Sequence, residues 1–200
     1  MRFIVCMVLT FYSLSALAQV DKILQSQLVK MSEQNQEIRQ SLSQYASGDV
    51  PAALQSVATE IDNLHTQTLK EIIRLYGWPS KQQVEEEGVQ ATFLLIKHSK
   101  DLALQQDMLP LIIQSYLDKE GIAGQDVAQF TDNVSIKLGK KQVFGTQAEF
   151  ISGKVIFAPI ENQDSVDQLR AQMSMPSLAE YKKTLELFYG VIEPNDDESL

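Results

Sequence analysis

Cysteine is almost missing from this chain: Cys6 is the only one in 200 residues. It sits in an apolar run near the N-terminus, so the body of the protein has no disulfide, no thiolate nucleophile and no cysteine metal ligand. Histidine is nearly as scarce, with only His65 and His98. They fall on different expected helices at a spacing that asks for no metal, so neither a metal nor another cofactor is expected. The usual catalytic signatures are missing too: no G-x-S-x-G elbow, no S-x-x-K, no H-E-x-x-H, no phosphate-cradling glycine loop and no G-x-G-x-x-G. The common hydrolase, zinc-protease, nucleotide and dinucleotide readings thereby lose their anchors. Positive charge is also short, with 17 basic against 26 acidic residues and a net charge of −9. Such a balance repels phosphate backbones and anionic membranes, so nucleic acid is not an expected partner.

What is present begins with "MRFIVCMVLTFYSLSALAQ". A single Arg2, an apolar run from Phe3 to Leu14 and the small residues Ala16 and Ala18 read as a secretory signal peptide over residues 1–18, cleaved before Gln19. The run is shorter than the ~20 apolar residues of a spanning helix, so no stable membrane insertion is expected after cleavage. The reading implies export to the periplasm or beyond, and Cys6 is not placed for lipid attachment. Arg2 leaves with the leader, so residues 19–200 keep 16 basic against 26 acidic residues. That length suits one packed domain.

Apolar periodicity then predicts mostly helix. Val20, Leu24, Leu28, Met31, Ile38, Leu42 and Tyr45 recur at helical steps on an otherwise Gln- and Ser-rich segment, read as a largely solvated extension over 19–47. After "SGDVP", Leu54, Val57, Ile61, Leu64, Thr68, Ile72 and Leu75 form a second stripe that stops at Gly77-Trp78-Pro79. Ser80 and Gln83 read as a capping box for a third helix that ends near His98, with Gly88 and Ala91 allowing close approach. Asp101 caps a fourth helix interrupted at Pro110, and a fifth runs to about Val134. From residue 142 to 158 the β-branched and aromatic content predicts a small hairpin. Helices over about 164–173 and from a Ser177–Glu180 capping box follow, the last burying Leu178, Tyr181, Leu185 and Phe188. The expected fold is mainly α: one α-rich domain over 48–190, with an acidic, disordered tail at 191–200.

Within this frame, several polar residues could carry chemistry. His98 ends an apolar stripe, and Asp101 three residues on could orient its imidazole; helix capping is the simpler account, since it explains both residues without a substrate. His65, beside the stripe, reads as a boundary residue with a local hydrogen bond, and Trp78 as a core anchor or the floor of a pocket. Glu85-Glu86-Glu87 suits the first turns of a helix. In "GKKQVFGTQAEF", Gln142, Thr146 and Gln147 flank Gly145 and can donate and accept without ionising. Such a set serves ligand orientation or hairpin satisfaction.

The ordered series "YGWPS", "KHSKD" with Gln105 after it, "FTDNV", "GKKQVFGTQ", "APIEN" and "RAQMSMPSLAEY" resembles a bacterial family known as domain of unknown function 6624. The resemblance covers roughly Asp62 to Tyr181. It implies one shared pocket for His98 and the FGTQ stretch, with Asp132, Gly145, Thr146, Gln147 and Glu161 retained, and it implies no reaction. The chain departs from the family pattern in having Lys97 for Gln, Lys100 for Asp, Asn133 for Arg, Phe144 for Tyr and Asn162 for Asp. If the family site uses that arginine or that tyrosine hydroxyl, this chain has lost them.

Three functional expectations result. One is an exported ligand-binding or interaction domain, its polar pocket formed by His98, Gln105, Asp132, Thr146 and Gln147 and walled by Trp78 and Phe144, for an unidentified small molecule. Another is a metal-independent hydrolase with His98 as general base on water, oriented by Asp101 or Asp132, and with Gln147 and backbone amides stabilising the developing charge. The last is an envelope protein that docks a partner through its N-terminal helices.

Overall fold

Asp21 opens the first helix, its carboxylate accepting from the amides of Ile23 (3.1 Å) and Leu24 (2.9 Å). The computed structural model describes residues 20–46 and 49–190; the leader expected over 1–18 and the tail expected over 191–200 lie outside them. Helix α1 (Lys22–Ser43) buries Leu24, Leu28, Met31 and Ile38 as its periodicity requires. It is no solvated extension: it packs along α3 (Lys81–His98), and Leu28 is fully enclosed in the core. Burying a leucine of that kind contributes about 1.5–3 kcal/mol. Asn35 occupies the step of the stripe between Met31 and Ile38 and is buried with them.

Helix α2 (Ala52–Tyr76) turns a different face inward from the one its apolar spacing selects. Ala58, Asp62, His65, Thr66, Leu69 and Ile72 are buried, while Leu64 is 65 % and Leu75 62 % exposed. The reason is polar pairing. Asp62 meets Asn35 and Arg39 of α1, and Thr66 meets Ser99 at 2.9 Å, so the face that satisfies these groups wins over the more apolar one.

Ser80 makes no side-chain cap; Glu120 accepts from the Lys81 amide instead, at 3.1 Å. Glu85, at φ 56°, breaks α3 after its first turn, and its carboxylate is held by Lys22 (2.7 Å) and Gln25 (3.0 Å) of α1. The kink folds Val84 back over Gly88, where a methyl group would lie 2.6 Å from the Val84 Cβ.

Helix α4 (Leu102–Leu117) starts on an Asp101 cap as expected and runs through Pro110. Helix α5 (Gly124–Lys137) extends one turn past Val134. Strands β1 (Ala148–Ile151) and β2 (Lys154–Phe157) pair antiparallel, with Ala148 opposite Phe157. They join through Ser152 and Gly153, both at positive φ (50° and 77°), as a tight two-residue hairpin turn requires. The hairpin is thus shorter than 142–158, and residues 142–147 form a loop before it. Helix α6 (Val166–Gln172) and α7 (Leu178–Phe188) complete the chain. The Ser177–Glu180 capping box is present in full, but α7 only half-buries Leu178, Tyr181 and Leu185, and Phe188 is 80 % exposed. Among the described residues the fold is mainly α: seven helices and one two-stranded sheet.

Candidate functional site

The end of α3 is made by Gln105. Its amide donates to the carbonyls of Ile96 (3.1 Å), Lys97 (3.1 Å) and Ser99 (2.9 Å), closing the helix terminus from inside the core. His98 is set into this terminus and half-buried. Its partner is neither Asp101 nor Asp132. Asp101 caps α4 and pairs with Lys70, while the His98 Nδ1 is hydrogen-bonded to the Asn35 Oδ1 from α1. The Asn35 amide nitrogen donates in turn to Asp62 Oδ1 at 3.1 Å, an oxygen that also accepts from Arg39 at 2.6 Å.

This order fixes a tautomer. A carboxylate at Asp62 requires the NH₂ side of Asn35, so Asn35 presents its oxygen to the ring and His98 must donate from Nδ1. Nε2 is left as an acceptor with no hydrogen-bond partner among the described residues. Burial, reinforced by the cations Arg39 and Lys97 and only partly offset by Asp62, pulls the His98 pKa down to about 4. At neutral pH the ring is therefore uncharged. His65, the other histidine, is buried on a different face and reaches Gln34 of α1 at 3.3 Å, so it is a core residue with a long-range partner and not a boundary residue with a local one.

Opposite His98 stands the loop Gln142–Gln147. Its backbone amides do not pair within a sheet, apart from one bridge between Gln142 and Ile160; buried side chains accept from those of Val143, Phe144, Thr146 and Gln147. Asp132 of α5, with no exposed surface, accepts from the amides of Val143 (2.7 Å), Phe144 (3.0 Å) and Thr146 (2.9 Å) and from the Thr146 hydroxyl (2.9 Å). Arg170 of α6, equally enclosed, donates to the Phe144 carbonyl at 2.8 Å, and Tyr181 of α7 donates to the Thr146 carbonyl at 3.2 Å. The Gln142 side chain both donates to the Gln147 carbonyl (3.0 Å) and accepts from its amide (2.9 Å). Gly145 sits at φ 69° against Leu178 and Ile160, a position where a side chain would be strained and crowded.

The clamp leaves one group of the loop facing outward. The Gln147 side chain, steadied by its donation to the Thr146 hydroxyl at 2.9 Å, borders an open cavity of about 320 Å³ lined also by Lys97, His98, Gln129, Phe130, Asn133 and Lys137. Of the residues singled out in the sequence, only His98 and Gln147 reach it. Gln105 lies behind the wall, where its oxygen takes the Lys137 ammonium at 3.1 Å. Asp132 and Thr146 are inside the loop clamp. Phe144 is buried, and Trp78 packs at the opposite end of α3, donating to Glu120 at 3.3 Å. Two of the departures from the family pattern, Lys97 and Asn133, fall on the cavity wall. A larger hollow of about 490 Å³ between α1 and α3 mixes Glu33, Glu87 and Asp126 with Lys97 and contains neither His98 nor Gln147.

Sequence reasoning missed Asn35, Arg170 and Tyr181 as the residues that fix His98 and the loop. Asn35 had a signal: it falls where the α1 stripe calls for an apolar side chain. Arg170 had a weaker one, four residues after the buried Val166.

Fold and site together define a helical domain in which a helix terminus and a clamped loop face each other across a polar cavity. Residues 22–193 match the family described as a family of unknown function (DUF6624), and the chain belongs to it. No curated protein and no solved structure matches the chain.

Proposed function

We propose that this is an exported ligand-binding domain whose small-molecule ligand occupies the cavity between His98 and Gln147. The observation that carries the reading is the contrast between the two faces of each wall. The buried polar side chains behind His98 and Gln147 hold them in place: Asn35 and Asp62 fix the ring, while Asp132, Arg170 and Gln142 fix the loop, and of these side chains only the Asp62 Oδ2 and Arg170 Nη2 atoms lack a partner among the described residues. On the cavity side, the imidazole Nε2 and the Gln147 Oε1 have no hydrogen-bond partner among the described residues and are left for a guest. A neutral acceptor beside amides is a recognition surface, pre-organised so that little entropy is lost on binding.

One observation favours the hydrolase reading, namely the Asp62–Asn35–His98 chain that orients the ring as a base. A pKa near 4 makes it a weak base at neutral pH, and the cavity wall holds no hydroxyl nucleophile. Docking through the N-terminal helices is the less supported alternative, because α1 is committed to the core.

A thermal-shift screen of a metabolite library against the wild type and the His98→Ala and Gln147→Ala variants tests the reading. The expected result is a compound that stabilises the wild type and neither variant, with the unliganded melting points of both close to wild type. Stabilisation retained in both variants would overturn it. Turnover of a stabilising compound, lost with His98→Ala, would favour the hydrolase.

A further inference from the structure

Resting on that reading, we infer that the ligand is a small oxyanion, a carboxylate or phosphate, that also carries a hydroxyl or N–H donor. The wall composition carries the inference. On a chain of net charge −9, the cavity is lined by two ammonium groups and three side-chain amides and by no carboxylate. Lys97 is partly engaged, its ammonium 3.3 Å from Asp126 on the outer side. Lys137 is different. It is anchored at 3.1 Å by the neutral oxygen of Gln105, and among the described residues no carboxylate forms an ion pair with it. Gln105 is itself immobilised by its three bonds to the end of α3, so the ammonium is positioned without being neutralised. Asn133 and Gln129, one turn apart on α5, make no side-chain hydrogen bonds of their own among the described residues and add N–H donors beside it.

The His98 side of the cavity has the converse requirement. The imidazole Nε2 can only accept, because Asn35 fixes the ring proton on Nδ1, so the group placed against it must donate. An anion at Lys137 and a donor at His98 therefore belong to one guest. The cavity's volume of about 320 Å³, room for roughly ten waters at ~30 Å³ each, suits a compact metabolite.

The test is a titration of ¹⁵N-labelled protein, following the side-chain NH₂ signals of Gln129, Asn133 and Gln147. L-lactate and glycolate supply carboxylate with hydroxyl, inorganic phosphate supplies the other oxyanion, and glycolamide is the neutral counterpart of glycolate. Saturable shifts with lactate, glycolate or phosphate are expected, with glycolamide at least about tenfold weaker, as loss of a charge-assisted contact implies. Lys137→Gln should weaken the anion by about the same factor, Lys137→Arg should largely restore it, and added salt should compete. Lactate or glycolate binding without phosphate identifies the anion as a carboxylate, and the reverse identifies a phosphate. Equal binding of glycolamide and glycolate, indifference to Lys137→Gln, or no saturable shift with any of the anions overturns the inference. A neutral compound that depends on His98 and Gln147 but not on Lys137 would overturn it and leave the ligand-binding reading standing, whereas a Lys137-dependent anion indifferent to both of those residues would sink the reading itself.

Discussion

Removing the Asp132 carboxylate is the sharpest test of how the loop is held. In Asp132→Ala the amides of Val143, Phe144 and Thr146 and the Thr146 hydroxyl lose their acceptor together. The hydroxyl can rotate, but the three amides point into a space with no exposed surface at its centre. A buried donor left unsatisfied costs about 1–3 kcal/mol. A water entering the vacated volume would serve one or two of the three, so the expected loss is about 3–5 kcal/mol. For a domain of this size each kcal/mol moves Tm by about 2–4 °C, which puts the shift on the order of 10 °C. Denaturant unfolding monitored by circular dichroism gives the energy, and amide hydrogen exchange at residues 143, 144 and 146 gives its location. Asp132→Asn keeps the shape and one acceptor, so it should cost roughly half as much. A loss under about 1 kcal/mol for Asp132→Ala, or fast exchange at those amides already in the wild type, would refute the clamp.

Two further expectations concern the histidine. His98 titrates at its ordinary value of 6.5 when unfolded but at about 4 in the fold, so between those values the unfolded chain holds more protons and stability rises with pH. The contribution is complete above about pH 6.5 and disappears as pH falls toward 4, by up to about 3 kcal/mol. Urea midpoints from pH 4 to 7 should therefore be flatter in His98→Ala than in the wild type, and identical slopes would contradict the buried neutral ring. Placing a second carboxylate against the ring with Asn35→Asp should raise the His98 pKa by about one unit or more, read from its ¹³C-imidazole shift. No upward movement would mean that Asn35 is not the partner of the ring in solution.

Much of the fold was legible because helix periodicity, caps and stops are local properties. The Asp101 cap, the Ser177–Glu180 box and the Gly77 stop depend on a few adjacent residues, and the structure keeps all three. The inward face of α2 was not legible, because it is chosen by Asp62 and Thr66 finding partners on α1 and at the end of α3, a fact of tertiary pairing. The same blindness hid Asn35, which reads as a gap in an apolar stripe until His98 is seen beside it. The family resemblance implied one pocket for His98 and the FGTQ stretch, and His98 and Gln147 line one cavity. That resemblance also suggested Asp132, Thr146 and Gln105, which turn out to act from behind the wall. Residue type alone cannot separate a carboxylate that faces a guest from one that faces three backbone amides.

The two walls of the cavity are completed at different points along the chain. Asn35, Asp62 and His98 are all in place once residues 22–105 have been made, with Gln105 closing the helix end. The Gln147 wall needs Arg170 and Tyr181, drawn from the last two helices. Synthesis from the N-terminus would thus leave one half of the site formed and open while the other waits for the C-terminal helices to dock. The cavity is complete only when the chain is almost finished, and a truncation between Gln147 and Arg170 would remove both loop anchors, Arg170 and Tyr181, while leaving every residue that lines the cavity.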